Sequence, residues 1–153
     1  MRRSLEDDPP TPAWPEGIGL RSFRPEDAQA IHAVLEYAYR GGGGSVDPFE
    51  KWHLAMMSDA EFDPELWFLA EAEDGSLAGA ALCWTSAFLK DLVVHESWRG
   101  RGLGAALIHQ VLREFRDRGA QAVELKVASG NPSGAQRLYE RLGFVVVERL
   151  PPV

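Results

Sequence analysis

Leu92-Val93-Val94-His95-Glu96-Ser97-Trp98-Arg99-Gly100-Arg101-Gly102-Leu103-Gly104 reads as a strand that meets three glycines at alternate positions and passes straight into a helix. The helix begins near Leu103, and Leu107, Ile108, Val111, Leu112 and Phe115 recur at helical spacing along one face. Glycine lets the backbone turn sharply and brings N–H groups against a ligand with no side chain between them. The first N–H groups of a helix lack internal partners and lie at the positive end of its dipole. Such a turn therefore suits an anion, a pyrophosphate in particular. The dipole supplies only about 0.3–2 kcal/mol, so several N–H groups must share the ligand. Arg99 and Arg101 add positive charge beside it.

Outward from this stretch, the chain alternates strand and helix signals. Residues 1–17, with Pro9, Pro10, Pro12 and Pro15, read as an extended arm, and 18–153 as one domain. Ile18 to Phe23 is a first strand. Pro25 opens a helix bearing Ala28, Ile31, Val34, Leu35 and Ala38, which Gly41 stops. Asp47-Pro48-Phe49-Glu50 opens a second helix, with Asp47 as its cap. Leu66 to Glu71 and Leu77 to Trp84 are strands joined at Asp74-Gly75, a hairpin signal, and Phe88 to Val94 is another. After the central helix come a strand at Ala122 to Val127, a helix opened by Asn131-Pro132 and closed by Gly143, and a last strand at Phe144 to Arg149. The order predicts a mixed α/β domain without internal repeats.

Composition narrows the function. The 153 residues carry a formal charge of −7, which argues against nucleic acid as the main partner. Arg99, Arg101, Arg113, Arg116, Arg118, Arg137 and Arg141 crowd the last third, a distribution that suits a small anionic ligand on one side. No apolar run is long enough to span a bilayer, and the prolines and acids after Arg3 do not make a signal peptide, so a cytoplasmic address without membrane partners is expected. Cys83 is the single cysteine, which excludes an internal disulfide and a cysteine-based zinc site. No metal is expected.

Three readings of the glycine turn are open: a plain connection, a dinucleotide site and a coenzyme A cradle. Gly100-x-Gly102-x-x-Ala105 satisfies a relaxed dinucleotide fingerprint, and Glu124 lies at a fitting distance. Glu124, however, sits mid-strand, and one further helix and strand are too little for a doubly wound domain. For the third reading, Arg99-Gly100-Arg101-Gly102-Leu103-Gly104 resembles the signature of the Gcn5-related N-acetyltransferase family, with Glu96 where proline is frequent. Asn131-x-x-Gly134-x-x-x-Leu138-Tyr139-x-x-x-Gly143-Phe144 matches the family's second element, with Gly134 in place of alanine. Residues 47–67 look faintly like the mycothiol synthase-type branch.

The resemblance implies an α/β fold with a mixed, mostly antiparallel sheet, splayed by a bulge near Val94, with helices on both faces. It implies acetyl-CoA as cosubstrate, held by Leu92, Val93, Val94, Arg99, Gly100, Arg101, Gly102, Leu103, Gly104, Asn131 and Tyr139. The Val94 N–H is the implied oxyanion donor and Tyr139 the implied acid. A phenol near pKa 10 is roughly matched to a thiol near 8.5. Tyr139 also fits simple packing on an apolar helix face, and Asn131 a simple helix cap. Glu36, Asp47, His53 and Asp91 are candidate bases, each with an ordinary structural role as its alternative. Trp52, Trp67, Trp84, Phe62 and Phe68 are candidates for an acceptor pocket or for core. The acceptor, a small-molecule amine or a peptide N-terminus, is not legible. A non-catalytic acyl-CoA sensor is the rival from another class, and the apolar first helices also offer a homodimer surface.

Overall fold

The computed structural model describes residues 1–40, 45–127 and 135–147. In chain order the elements are β1 (Arg2–Ser4), β2 (Gly19–Ser22), α1 (Ala28–Tyr39), α2 (Phe49–Met57), β3 (Trp67–Glu71) and β4 (Leu77–Trp84). They continue with β5 (Phe88–Val94), α3 (Leu103–Asp117), β6 (Ala122–Leu125) and α4 (Ala135–Arg141). Short 3-10 turns at Pro25–Asp27, Pro64–Leu66 and Glu96–Trp98 precede α1, β3 and the glycine turn. The sheet order is β1-β6-β5-β4-β3-β2, antiparallel throughout except for the parallel pair β5–β6 that α3 connects.

Alternation along the strands divides the core between two helical layers. Phe68, Ala70, Ala81 and Cys83 pack with Leu107, Ile108, Val111 and Leu112 of α3. Trp67, Leu69, Ala80 and Leu82 pack with Ile31 and Leu35 of α1 and Trp52 of α2. The apolar stripe of α1 and Trp52 of α2 are thus turned into the core, while Phe49, Met56 and Met57 of α2 are only partly buried.

Three expectations change, the third being the place of the bulge. Within the proline-rich arm, Arg2–Ser4 is the edge strand beside β6, and Leu5 is buried. Arg2 also exchanges backbone bonds with Val145, so β1 lies between β6 and the start of the segment expected as the last strand. Three residues with two arginines carry no periodicity from which a strand could be read. The second helix starts one residue later than expected: Pro48 is the N-cap and no side chain caps it. The Asp47 carbonyl is instead bound to His32 Nε2 at 2.7 Å, which ties the segment before α2 to α1.

The bulge that breaks the sheet lies upstream of its expected place. Leu82 pairs with Asp91 and Cys83 with Leu89, so Lys90 is the extra residue. The bulge turns Asp91 and Val93 to the α1 face and Leu92 and Val94 to the α3 face. The ladder is then regular to Val94. Among the described residues, β6 pairs with β5 only at Phe88 and Leu89 and ends at Leu125, so the β5 edge beyond Leu89 has no strand partner there.

Candidate functional site

Beyond Leu89, the edge of β5 away from β4 has no partner strand among the described residues, which leaves a gap there. The His95 amide donates to the Ala78 carbonyl at 2.8 Å, which makes His95–Ala78 a hydrogen-bonded pair. By antiparallel alternation Val94–Gly79 is then a non-hydrogen-bonded pair, and the Val94 N–H and C=O point away from β4 into the gap. Leu92 is oriented the same way. The Arg99 Nε donates to the Val94 carbonyl at 3.4 Å.

The glycine turn leads from this gap to α3. Gly100 and Gly102 have φ of +76° and +83°, a region that side chains disfavour. Gly102 is the N-cap of α3 and supplies no side-chain cap. The Arg99 amide, expected to be free, donates to the Glu96 carbonyl at 3.3 Å within the 3-10 turn. From Gly100 to Ala105, no amide donates to a backbone carbonyl among the described residues; the helix ladder begins with Ala106 donating to Gly102. Gly104 serves differently: a Cβ there would meet Leu138 Cδ2 at 3.5 Å, ordinary contact, so its lack of a side chain leaves space.

These features border one cavity of about 730 Å³, formed by Leu92 and Val94, Trp98 to Gly100, Gly102 to Ala105, and Leu138, Tyr139, Arg141 and Leu142 of α4. Its size is typical of a small-molecule site. Of the residues expected from sequence, Leu92, Val94, Arg99, Gly100, Gly102, Leu103, Gly104 and Tyr139 line it. Val93 does not, because its side chain packs on the α1 face. Arg101 does not either; its guanidinium lies 4.8 Å over the Trp98 ring. Asn131 and Gly134 lie outside the described residues, as does the Gly41–Gly44 loop.

Trp98, Ala105, Leu138, Arg141 and Leu142 were missed. The last three occupy i, i+3 and i+4 of one helix, so their common face was readable in the sequence. Most of the clustered arginines serve elsewhere. Arg113 donates to the Pro9 carbonyl, Arg116 pairs with Asp8, and Arg118 pairs with Glu114. Arg99 and Arg141 are the two that line the cavity.

Gly79 is a further unforeseen determinant. A Cβ there would lie 2.8 Å from the Val93 carbonyl oxygen and 3.2 Å from Leu103 Cδ2. Its absence lets the first turn of α3 close onto the sheet opposite Val94.

Tyr139 is buried, edge-on to Phe144 at 5.7 Å, and reaches the cavity. Burial first, then the charge of Asp91, pushes its phenol well above 10. The hydroxyl is therefore protonated at neutral pH and able to donate, with an acidity below that of a free phenol. The candidate bases separate clearly. Glu36 is exposed beside Arg40 at 3.5 Å, Asp47 is exposed beside Lys51, and His53 stacks on Phe49. Asp91 alone is buried, accepting from Tyr39 Oη and Lys90 Nζ at 2.6 Å each. The aromatics are largely core: Trp52, Trp67 and Phe68 are buried, and Phe62 packs edge-on to Trp67. Cys83 is fully buried, and burial pushes its thiol far up, so it is not a thiolate at neutral pH. No metal-binding cluster occurs among the described residues, and none of their helices is long and apolar enough to cross a membrane.

Comparison with known proteins agrees with this geometry. The acetyltransferase (GNAT) family model matches residues 28–144. Mycothiol acetyltransferase of Thermobispora bispora is 34% identical over 94% of the chain, and that of Thermomonospora curvata 37% identical over 94%. The chain spans about half the length of these curated relatives, 52% and 50%. A GCN5-related N-acetyltransferase from Sphaerobacter thermophilus superposes with a TM-score of 0.77 at 37% identity, over 93% of this chain and 45% of that one. Ard1 from Thermoplasma volcanium shares the fold, with a TM-score of 0.70 at 23% identity, over 86% of this chain and 85% of that one. A strand end with its N–H turned away from β4, a glycine turn whose amides have no backbone acceptor among the described residues and a tyrosine on the facing helix thus sit in a matched domain: the chain belongs to the acetyltransferase (GNAT) family.

Proposed function

We propose that this chain transfers the acetyl group of acetyl-CoA to a primary amine. The observation that carries the reading is the adjacency, in one cavity, of the free amides at the start of α3, the gap-facing Val94 N–H and the Tyr139 phenol. The pyrophosphate lies against the amides of Gly100 to Ala105, with Arg99 and Arg141 beside it. The pantetheine arm follows the open edge of β5, which sets the thioester at Val94. A neutral amine attacks the carbonyl carbon; the C–N bond forms and the C–S bond breaks. Charge that develops on the oxygen meets the Val94 N–H, a pre-aimed donor of a kind worth about 2.7–4 kcal/mol. The sulfur departs as a thiolate that accepts a hydrogen bond from Tyr139, and the surplus proton of the nitrogen passes to water, so that the products are the amide, the thiolate of coenzyme A and one proton. With Cys83 sealed in β4, transfer is direct, without an acetyl-enzyme.

The names of the relatives make an amine of the mycothiol type the first acceptor to try, ahead of aminoglycosides, polyamines, amino acids and peptide N-termini. The test is release of free thiol from acetyl-CoA with each amine in turn. Amine-dependent release supports the reading. Tight coenzyme A binding with no release for any acceptor would assign the chain to acyl-CoA sensing instead.

A further inference from the structure

The Lys90 bulge creates a second chemical feature, on the face of β5 opposite the cavity. Because the extra residue breaks alternation, Lys90 and Asp91 project together, and the Lys90 ammonium reaches the neighbouring carboxylate at 2.6 Å. The other Asp91 oxygen accepts from the Tyr39 hydroxyl, also at 2.6 Å. Tyr39 is the last residue of α1, so the carboxylate is clamped between a helix end and a strand. The Asp91 side chain is only 5% exposed, yet that of Lys90 is 25% exposed and has a path to water. Asp91 is also within electrostatic reach of the Tyr139 phenol, since its charge helps to raise that group, and Tyr139 helps to raise Tyr39. Asp91 and Tyr39 thus meet on the α1 side of β5, and the cavity that Tyr139 lines is on the other side of the same strand.

A buried carboxylate holds a charge at a cost that partners must offset. Here the partner is a primary ammonium on a flexible stem, the same group that an amine acceptor carries before transfer. We propose that Asp91, framed by Tyr39, is the subsite for the acceptor's primary ammonium, and that the Lys90 ammonium occupies it until the acceptor arrives. The acceptor then enters from the α1 face, opposite the coenzyme, and displaces Lys90 toward solvent. Recognition favours the primary amine as its ammonium; before attack the ammonium gives one proton to water, and the neutral amine keeps a weaker N–H bond to Asp91.

This inference rests on the proposed coenzyme A cavity, and a pair of probes separates the two. S-ethyl-CoA fills the cavity without an ammonium. S-(2-aminoethyl)-CoA carries one just beyond the sulfur, where the acceptor nitrogen would stand. By calorimetry, wild type should bind the aminoethyl compound about tenfold more tightly, as a charge-assisted bond to a buried carboxylate gives. Asp91→Asn should bring that ratio to about one while binding of S-ethyl-CoA persists. Lys90→Met, which removes the competitor and leaves the carboxylate, should raise the ratio above that of wild type; this covers the case in which Asp91→Asn fails to fold. Equal affinities for the two probes in wild type, or a ratio unmoved by Lys90→Met, would overturn the subsite and leave the three side chains as a brace for the bulge. Failure of S-ethyl-CoA to bind wild type would instead remove the cavity on which the subsite depends.

Discussion

Tyr139 illustrates what a single residue's surroundings do to its chemistry. Its position on α4 was legible from the sequence, but its acidity was not, because burial and Asp91 come from other elements. A phenol held above its ordinary range is neutral at any physiological pH, the state from which it would donate to sulfur in the proposed reaction. Tyr139→Phe should therefore slow single-turnover acetyl transfer by about 10²–10⁴ while coenzyme A affinity and thermal stability stay near wild type; unchanged turnover would reduce Tyr139 to packing. Asp27 makes the corresponding point for stability. Its carboxylate accepts from both terminal nitrogens of Arg21 at 2.7 Å and from the Arg24 amide, and Arg21 also holds Glu71. The Arg21 bonds hold its carboxyl below the usual range. A depressed carboxyl stabilises the fold above its unfolded value, near 3.9, and that stabilisation is lost as pH falls through the folded value. Asp27→Asn should cost about 1–3 kcal/mol at neutral pH. In urea melts its stability should also fall less steeply than that of wild type between about pH 4 and pH 2. Parallel pH profiles would contradict the assignment.

Among elements, the turn between β5 and α3 was the most legible, since three alternating glycines before an amphipathic run have few other uses. Their separate duties became visible only with backbone angles and neighbours. Gly102→Ala places a side chain at φ +83° and should cost about 1–2 kcal/mol by thermal melting, with weaker coenzyme A binding because the amides lose their aim. Gly104→Ala, at an ordinary φ, should leave the melt nearly unchanged. Loss of equal stability in both would mean that backbone conformation is not the distinction. The bulge was foreseen near Val94 and lies at Lys90, because register depends on a partner strand that one strand's sequence does not encode. Deletion of Lys90 restores strict alternation and, if the strand end stays in register, should turn Asp91 away from Tyr39. The expected result is loss of the Asp91-dependent preference for an ammonium probe, with the melt lowered; a deletion variant that keeps the preference would show that the bulge does not aim Asp91.

At the scale of the molecule, the order of helices and strands from β2 to α4 could be written down from periodicity and turn residues alone. β1 could not, since its three residues are a strand only because β6 and Val145 offer partners. The same limit applies to the site: the glycine-turn motif identified the floor of the cavity, while Leu138, Arg141 and Leu142 arrive from a distant helix, and Tyr39 and Asp91 meet between α1 and the sheet. What unites these parts is the end of the β5–β6 pairing at Leu89, beyond which no described strand covers the β5 edge at Val94, the edge along which the proposed coenzyme would lie. The account stands on the amides that border this opening. In amide-resolved NMR, coenzyme A should shift the signals of Gly100, Gly102, Leu103 and Gly104 at one-to-one stoichiometry, with inorganic pyrophosphate shifting the same set more weakly. Signals in that turn that stay still while coenzyme A saturates the protein, or no saturation at all, would contradict it.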